Sequence, residues 1–239
     1  STTIVHDELG RVTSRKDADG THTFTWDTAA NGLGRLAQST SADGVVVSYG
    51  YDSLGRPESR TQTYLGESFT IQQTYDDFGR LSRLHYPAAP NGAGGWKQIA
   101  VQHEYDSRTG ALKAVRDLDT NDPYWTAVER DLAGRVIDEA FGPTMNDRGW
   151  RTFDPLNGRL TYAQVWDTTE WTPSQYAYFE YDAVGNLTRR HDWTTGRVEG
   201  FAYDHFNQLK RWFLPGPDGG ETTGAWRVDY VPDALGNLT

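Results

Sequence analysis

Tyr75-Asp76-Asp77-Phe78-Gly79-Arg80-Leu81 is the stretch on which the fold turns. An aspartate at a strand end can accept backbone N–H bonds two residues on, and a glycine three positions later supplies a positive φ at which a Cβ would clash. The chain reverses there. Leu81 then returns to the sheet face that carries Tyr75, so these few residues specify a β-hairpin.

Variants of this stretch recur from one end of the chain to the other. The first is His6-Asp7-Glu8-Leu9-Gly10-Arg11-Val12, and the second is an expanded Trp26-Asp27 whose Gly34-Arg35-Leu36 follows a longer loop. Tyr51-Asp52-Ser53-Leu54-Gly55-Arg56 is the third and the Tyr75 stretch the fourth. The fifth, Tyr105-Asp106-Ser107-Arg108-Thr109-Gly110-Ala111-Leu112, carries one extra residue in its turn. In the sixth, Arg130-Asp131-Leu132-Ala133-Gly134-Arg135-Val136, an arginine replaces the aromatic; the seventh is Phe153-Asp154-Pro155-Leu156-Asn157-Gly158-Arg159-Leu160. Three more follow, at Tyr181-Asp182 with Gly185, at Tyr203-Asp204 with Asn207, and at Asp233 with Gly236. From Asp7 to Asp233 is 226 residues over nine intervals, about 25 per unit, which lies in the range of repeat architectures.

Before each aspartate the apolar residues alternate, as in Val45, Val47, Tyr49, Tyr51 or Ile99, Val101, His103, Tyr105. Period two marks half-buried strands with an inward aromatic face. Even Leu112–Arg116, which has some helical character, sits where the repeat puts a strand. A lone hairpin is marginal in water, so consecutive hairpins are expected to pair edge to edge. The expectation is an all-β array over residues 1–239, a continuous coiled antiparallel sheet of about ten hairpin units that is itself a piece of a longer chain. Roughly 20 strands at about 4.8 Å give on the order of 95 Å of sheet. Second turns at Asp17–Gly20, Ser41–Gly44, Pro87–Gly95 and Pro215–Gly220 should be exposed loops.

Composition narrows the function. The 239 residues carry 23 Lys and Arg against 33 Asp and Glu, net −10, with no basic cluster, so nucleic acid is not an expected partner. No apolar run approaches the ~18 residues of a membrane span. The absence of cysteine excludes disulfides and thiolate metal sites. Nine Trp, 13 Tyr and 9 Phe against one Met fit aromatic-rich hairpins.

Candidate chemistry is thin. The row of aspartates is explained by turn capping, and the reading assigns no catalytic, cofactor-binding or metal site. Asp117-Leu118-Asp119-Thr120-Asn121 begins like a calcium loop, but Asp122 stands where the loop needs glycine and Val128 where it needs glutamate. Gly32-Leu33-Gly34-Arg35-Leu36-Ala37 matches a dinucleotide fingerprint only superficially, with no strand-to-helix context. The six histidines show no ligand spacing, and no serine lies in a nucleophile elbow. Trp96, Trp125, Trp150, Trp166, Trp171, Trp193 and Trp212 are read as lying in or near the segments between hairpins, where exposed indoles could stack on sugars or anchor a protein.

The aromatic-Asp-x-x-Gly-Arg/Asn-Leu pattern resembles the YD repeats of the rearrangement-hotspot (Rhs) family, which includes bacterial polymorphic toxins, toxin-complex subunits, wall-associated toxins and teneurins. The resemblance implies a hollow spiral β-shell in a secreted or cell-surface bacterial protein. It implies a non-enzymatic wall segment without cofactors, whose partners are the rest of its own chain and an enclosed C-terminal toxin domain. Asp154-Pro155 shares a dipeptide with the family's self-cleaving core segment but falls in register as the seventh turn. A sheet of about 95 Å closed in one turn is about 30 Å across, and inward side chains take about 10 Å of that, too little for a 100-residue cargo with a radius of gyration near 13 Å. The alternative function is adhesion or carbohydrate binding through the Trp-bearing loops.

Overall fold

The structure, a computed structural model, describes residues 2–92, 94–215 and 226–231. The tenth unit, with Asp233 and Gly236, lies outside the described residues, as does most of the Pro215–Gly220 turn. Among the described residues there are strands and turns and no helix. The sequence reading treats the chain as one array; by its internal contacts it divides into two compact units, Ser1–Asp122 and Pro123–Thr239.

The first unit holds β1 (Thr3–His6), β2 (Val12–Asp17), β3 (Gly20–Trp26), β4 (Leu36–Thr40), β5 (Val46–Tyr51), β6 (Pro57–Tyr64), β7 (Glu67–Tyr75), β8 (Leu81–His85), β9 (Ala89–Pro90), β10 (Trp96–Lys97), β11 (Ala100–Tyr105) and β12 (Leu112–Asp117). Strands β1 to β8 pair in order, all antiparallel, and β8 pairs β11, which pairs β12. Strands β9 and β10 form a separate ribbon inserted in the β8–β11 connection.

The second unit is a nine-stranded meander of the same kind. It comprises β13 (Pro123–Arg130), β14 (Val136–Phe141), β15 (Asp147–Phe153), β16 (Leu160–Asp167), β17 (Thr172–Tyr181), β18 (Leu187–Asp192), β19 (Arg197–Tyr203), β20 (Leu209–Phe213) and β21 (Arg227–Asp229). Each pairs antiparallel with the next.

Period two is visible in the burial of β3, where His22, Phe24 and Trp26 are half-buried and Thr21, Thr23 and Thr25 exposed. Across most repeat turns the aromatic sits opposite the leucine, as Trp26 with Leu36, Tyr75 with Leu81, Tyr105 with Leu112 and Tyr181 with Leu187, while His6 faces Val12, Tyr51 faces Pro57 and Arg130 faces Val136. Next to that pair every described repeat carries a β-bulge. Ser82, for instance, is the extra residue between the Thr74–Arg83 and Tyr75–Leu81 partners. The bulge locally increases the right-handed twist and absorbs the odd residue that the glycine turn introduces.

The expected burial of an aromatic face is corrected in one respect. Within each unit, strands approach only their hydrogen-bonded neighbours, so each sheet is a single layer. Among the described residues the buried apolar side chains are seven, six of them Ala or Val, with Phe213 the one aromatic. No large side chain is fully buried among the described residues, because no second layer covers either face of the sheet. The aromatics that open the repeats are half-buried instead, and something other than a core must cover them.

The repeat turns as the candidate functional site

Each regular turn closes in the same way. The backbone N–H of Gly79 donates to Asp76 O at 2.9 Å, Asp76 N donates to Arg80 O at 2.9 Å, and Gly79 has φ 78°. The Asp76 carboxylate does three further things: Oδ1 accepts from Phe78 N and Arg80 N, both at 2.9 Å, and Oδ2 accepts from Arg80 Nε at 2.7 Å. Asp7, Asp52 and Asp131 repeat the arrangement with Arg11, Arg56 and Arg135, each with an Nε–Oδ2 distance of 2.7 Å. Asp182 makes it with Asn186, whose Nδ2 reaches Oδ2 at 2.9 Å.

The variant turns keep the cap by other means. In the fifth unit Asp106 Oδ1 takes Thr109 N and Oγ1 at 2.7 and 2.8 Å, spanning the extra residue before Gly110 at φ 72°. In the seventh, Asp154 accepts Leu156 N at 2.7 Å and Asn157 Nδ2 at 2.9 Å, and Gly158 has φ 73°. Asn207 holds φ 62° in the ninth, where Asp204 accepts Phe206 N and Gln208 N at 2.8 and 2.9 Å. In the expanded second turn Asp27 itself has φ 66°, and its Oδ1 reaches Gly34 N at 2.6 Å.

The arginine's second role lies in the next unit. Its guanidinium stacks on the aromatic that opens the following repeat: Arg11 on Trp26, Arg35 on Tyr51, Arg56 on Tyr75 and Arg80 on Tyr105, at 5.1, 5.4, 4.3 and 4.2 Å. In the second unit Arg135 covers Phe153 at 4.0 Å and Arg159 covers Tyr181 at 5.8 Å. The aromatic answers with a hydrogen bond backward, to the carbonyl immediately after that arginine. Trp26 Nε1 donates to Val12 O at 2.9 Å, Tyr51 to Leu36 O at 2.7 Å, and Tyr75 and Tyr105 to Pro57 O and Leu81 O at 2.8 Å.

The next turn's glycine completes the seat. Arg135 Nη1 donates to Gly158 O at 2.7 Å, and a Cβ on Gly158 would fall 2.9 Å from that nitrogen. A Cβ on Gly185 would strike the Arg159 guanidinium outright. Glycine therefore serves both the positive φ and the close approach of the preceding unit's arginine.

The RHS repeat family model matches residues 30–68, which hold Arg35, the Tyr51–Asp52 turn and Arg56. Residues 30–68 thus carry an RHS repeat, and the same turn pattern recurs in the rest of the described chain. No curated protein matches its sequence. Its fold matches one stretch of the solved TcdB2-TccC3-TEV chain, with TM-score 0.62 and 16% identity over 100% of this chain and 15% of that one. The structure of TcdB2-TccC3 without its hypervariable C-terminal region matches with the same values, TM-score 0.62 at 16% identity over 100% of this chain and 15% of the other. This chain thus spans about 15% of the length of the solved chains it matches, and at that identity the likeness is one of fold.

Electrostatics at the repeat turns follow from their bonds. Asp7 titrates below the ordinary carboxylate range chiefly because Arg11 N donates to it, Asp27 and Asp131 because guanidinium groups of Arg11 and Arg135 do, and Asp106 because Thr109 N does. At Asp52, Asp76 and Asp182 partial burial pulls upward, and is outweighed by the N–H and side-chain bonds of Arg56, Arg80 and Asn186. Burial raises the Tyr51, Tyr105, Tyr181 and Tyr203 phenols.

The remaining candidates settle as follows. Asp117 Oδ1 accepts Asp119 N and Thr120 N at 2.8 and 3.0 Å, so the calcium-like stretch is one more capped turn. Among the described residues no group of three His, Asp or Glu could hold a metal ion. Of the seven tryptophans placed between hairpins, Trp125, Trp150, Trp166 and Trp212 lie within β13, β15, β16 and β20, because indoles pack well on a pleated surface. Trp96, Trp171 and Trp193 are exposed in ribbon and turns.

Sequence reasoning missed two carboxylates. Glu139 and Glu199 are the buried acids, the first accepting Trp125 Nε1 at 2.8 Å and pairing with Arg151 at 2.6 Å, the second accepting Trp212 Nε1 at 3.1 Å and Arg190 Nε at 2.6 Å. Gly149 opposite Glu139 leaves the space that this carboxylate fills.

Proposed function

We propose that this chain is a non-enzymatic wall segment of an Rhs-type β-shell, in a secreted or surface bacterial protein that encloses or displays a toxic C-terminal domain. The observation that carries the reading is the single layer. A sheet without a core, held by arginine–aromatic contacts between successive repeats wherever both residues are present, is built to extend rather than to form a pocket. The aspartates support it, since their lone pairs are spent on turn N–H groups and arginines. The turn tips support it as well: Leu9, Leu33, Leu54, Phe78, Leu132, Leu156, Val184 and Phe206 are exposed large apolar residues, one to a turn, and rows of this kind mark surfaces covered in a larger assembly.

The test has two stages. The native reading frame is read on both sides of these residues; further repeats on at least one side and a distinct C-terminal domain are expected, and a frame without them sinks encapsulation on size. The complete protein is then treated with trypsin. The C-terminal domain should resist cleavage until the wall is weakened by Arg56→Ala with Arg80→Ala; a C-terminal domain cut as fast in the parent protein as when expressed alone refutes enclosure.

A further inference from the structure

One row of rings in the second unit lacks the cover that the chain gives its other aromatics. Trp166 on β16, Tyr176 on β17 and Trp193 just after β18 lie side by side, in steps of 6.2 Å between ring centroids. Tyr162 and Tyr178, 4.8 Å apart, adjoin the row at Tyr176, and His191 stacks on Trp193 at 3.9 Å. Elsewhere the chain's own arginines lie over its rings, as at Tyr105, Trp150, Phe153 and Trp212. Among the described residues none lies over Trp166, Tyr176 or Trp193. Arg148, opposite Trp166 in register, is instead paired with Asp138 and lies over Trp150 at 5.7 Å, and Arg189 on β18 stands level with Glu180.

The turns at this end of the strands are acidic. Residues 142–147, 167–171 and 192–196 hold Asp147, Asp167, Glu170 and Asp192 and no lysine or arginine. Asp147 and Asp167 stand directly opposite each other in the ladder, a like-charge pair that is unfavourable until a counter-charge arrives. Asp167 and Asp192 cap their own turns, accepting Thr169 N at 2.7 Å and Thr194 N at 2.9 Å. Asp147 and Glu170 are exposed and have no ion-pair partner among the described residues.

Uncovered ring faces beside unpaired carboxylates are complementary to a cation with a flat, weakly hydrated head, the guanidinium above all. An extended chain places alternate side chains about 6.6 Å apart, close to the spacing of these rings. We infer that this row is the docking surface for an extended basic segment of a partner protein, whose arginines at alternate positions lie over Trp166, Tyr176 and Trp193 and whose charge is met by the acidic turns. The occupant is another protein rather than a second copy, because a chain of net charge −10 with scattered Lys and Arg has no basic run to offer. The inference goes beyond the shell reading and stands without it.

The test is calorimetric titration of the full chain with alternating Arg-Thr, Lys-Thr and citrulline-Thr octapeptides, at about 0.15 M salt so that long-range attraction is screened. The Arg-Thr peptide should bind saturably and more tightly than Lys-Thr, and its neutral citrulline counterpart should bind about tenfold more weakly. Trp193 is 55% exposed, so its truncation leaves the fold intact; Trp193→Ala should weaken the Arg-Thr peptide about fivefold without changing the chain's charge. Trp193→Phe, which keeps a ring, should retain more affinity than Trp193→Ala, and Trp96→Ala, at an exposed indole of the other unit, should leave binding unchanged. No saturable binding of Arg-Thr overturns the inference. So does binding that neither Trp193→Ala nor Tyr176→Leu weakens, which is attraction to net charge alone, and so does citrulline-Thr binding as tightly as Arg-Thr, which marks a surface for neutral chains.

Discussion

Replacing Arg80 by alanine isolates what the arginine contributes to its neighbour. Its Nε holds Asp76 at 2.7 Å, its Cζ lies 4.2 Å from the Tyr105 ring centroid, and Nη1 reaches Gly110 O at a long 3.4 Å. The side chain is 30% exposed, so the ion pair with Asp76 is worth about 0.5 kcal/mol after solvent screening. The stack on Tyr105 adds about 0.5–1 kcal/mol, and the long bond to Gly110 little. Arg80→Ala should therefore cost about 1–2 kcal/mol, a melting-temperature drop of roughly 3–6 °C for a chain of this size. The decisive quantity is the coupling to Tyr105. In a double-mutant cycle with Tyr105→Leu, read by urea unfolding, the two losses should overlap by about 0.5–1 kcal/mol. Arg108→Ala, at an exposed position of the neighbouring turn, should change stability by less than about 0.5 kcal/mol. A coupling below about 0.3 kcal/mol would mean that the two residues act independently, and the contact between repeats would be geometry without energy.

Gly185→Val should cost more than about 2 kcal/mol, because positive-φ strain adds to displacement of the Arg159 guanidinium, whereas Gly10→Val, with nothing within 4 Å of its Cβ, should cost about 1; equal losses in thermal melts would refute the seat. Acid should destabilise the fold below about pH 4, since Asp7, Asp52, Asp76 and Asp131 hold folded pKa values below their unfolded ones. Their contribution is complete above the unfolded value and disappears as pH falls through the folded ones. Melting temperature measured from pH 6 to pH 2 should fall accordingly, and Asp52→Asn with Asp76→Asn should flatten the slope. Tyr51→Phe, which strips the donor from the 2.7 Å bond to Leu36 O, should cost about 1 kcal/mol by urea unfolding, and no loss would show that bond to be dispensable.

The hairpins were legible because their code is local: Asp76 and Gly79 act within a few residues of one another. The bulge beside each aromatic was not, since it is a register property that a list of alternating residues does not display. Nor was the role of the arginine. Arg80 meets Tyr105 across 25 residues of sequence, through a connection whose length varies from repeat to repeat, and no periodicity argument links them. A signal was nonetheless present. The fifth unit has Ala111 at the arginine position and the sixth has Arg130 at the aromatic position, so both members of that pair are absent together. Glu139 and Glu199 offered no such signal, because burial of an isolated strand glutamate depends on which indole and which arginine the register brings beside it.

A single-layered sheet cannot draw its stability from a buried core of its own, and this chain shows what replaces it. Where both members are present, one hairpin offers a cation at its turn and the next a half-exposed ring at the end of its first strand. The ring is covered by the preceding arginine and donates its polar hydrogen to that repeat's backbone, while the arginine remains clamped by its own turn aspartate. Two contacts of opposite direction thus join the repeats that open on Trp26, Tyr51, Tyr75 and Tyr105 to the ones before them, and loss of the ring removes both at once. Stability in such an array is a property of neighbours. That is also why the turn is so strictly patterned: the aspartate must point the guanidinium onward, the glycine must leave room for the one arriving, and the leucine must return beside the ring that the previous repeat has covered.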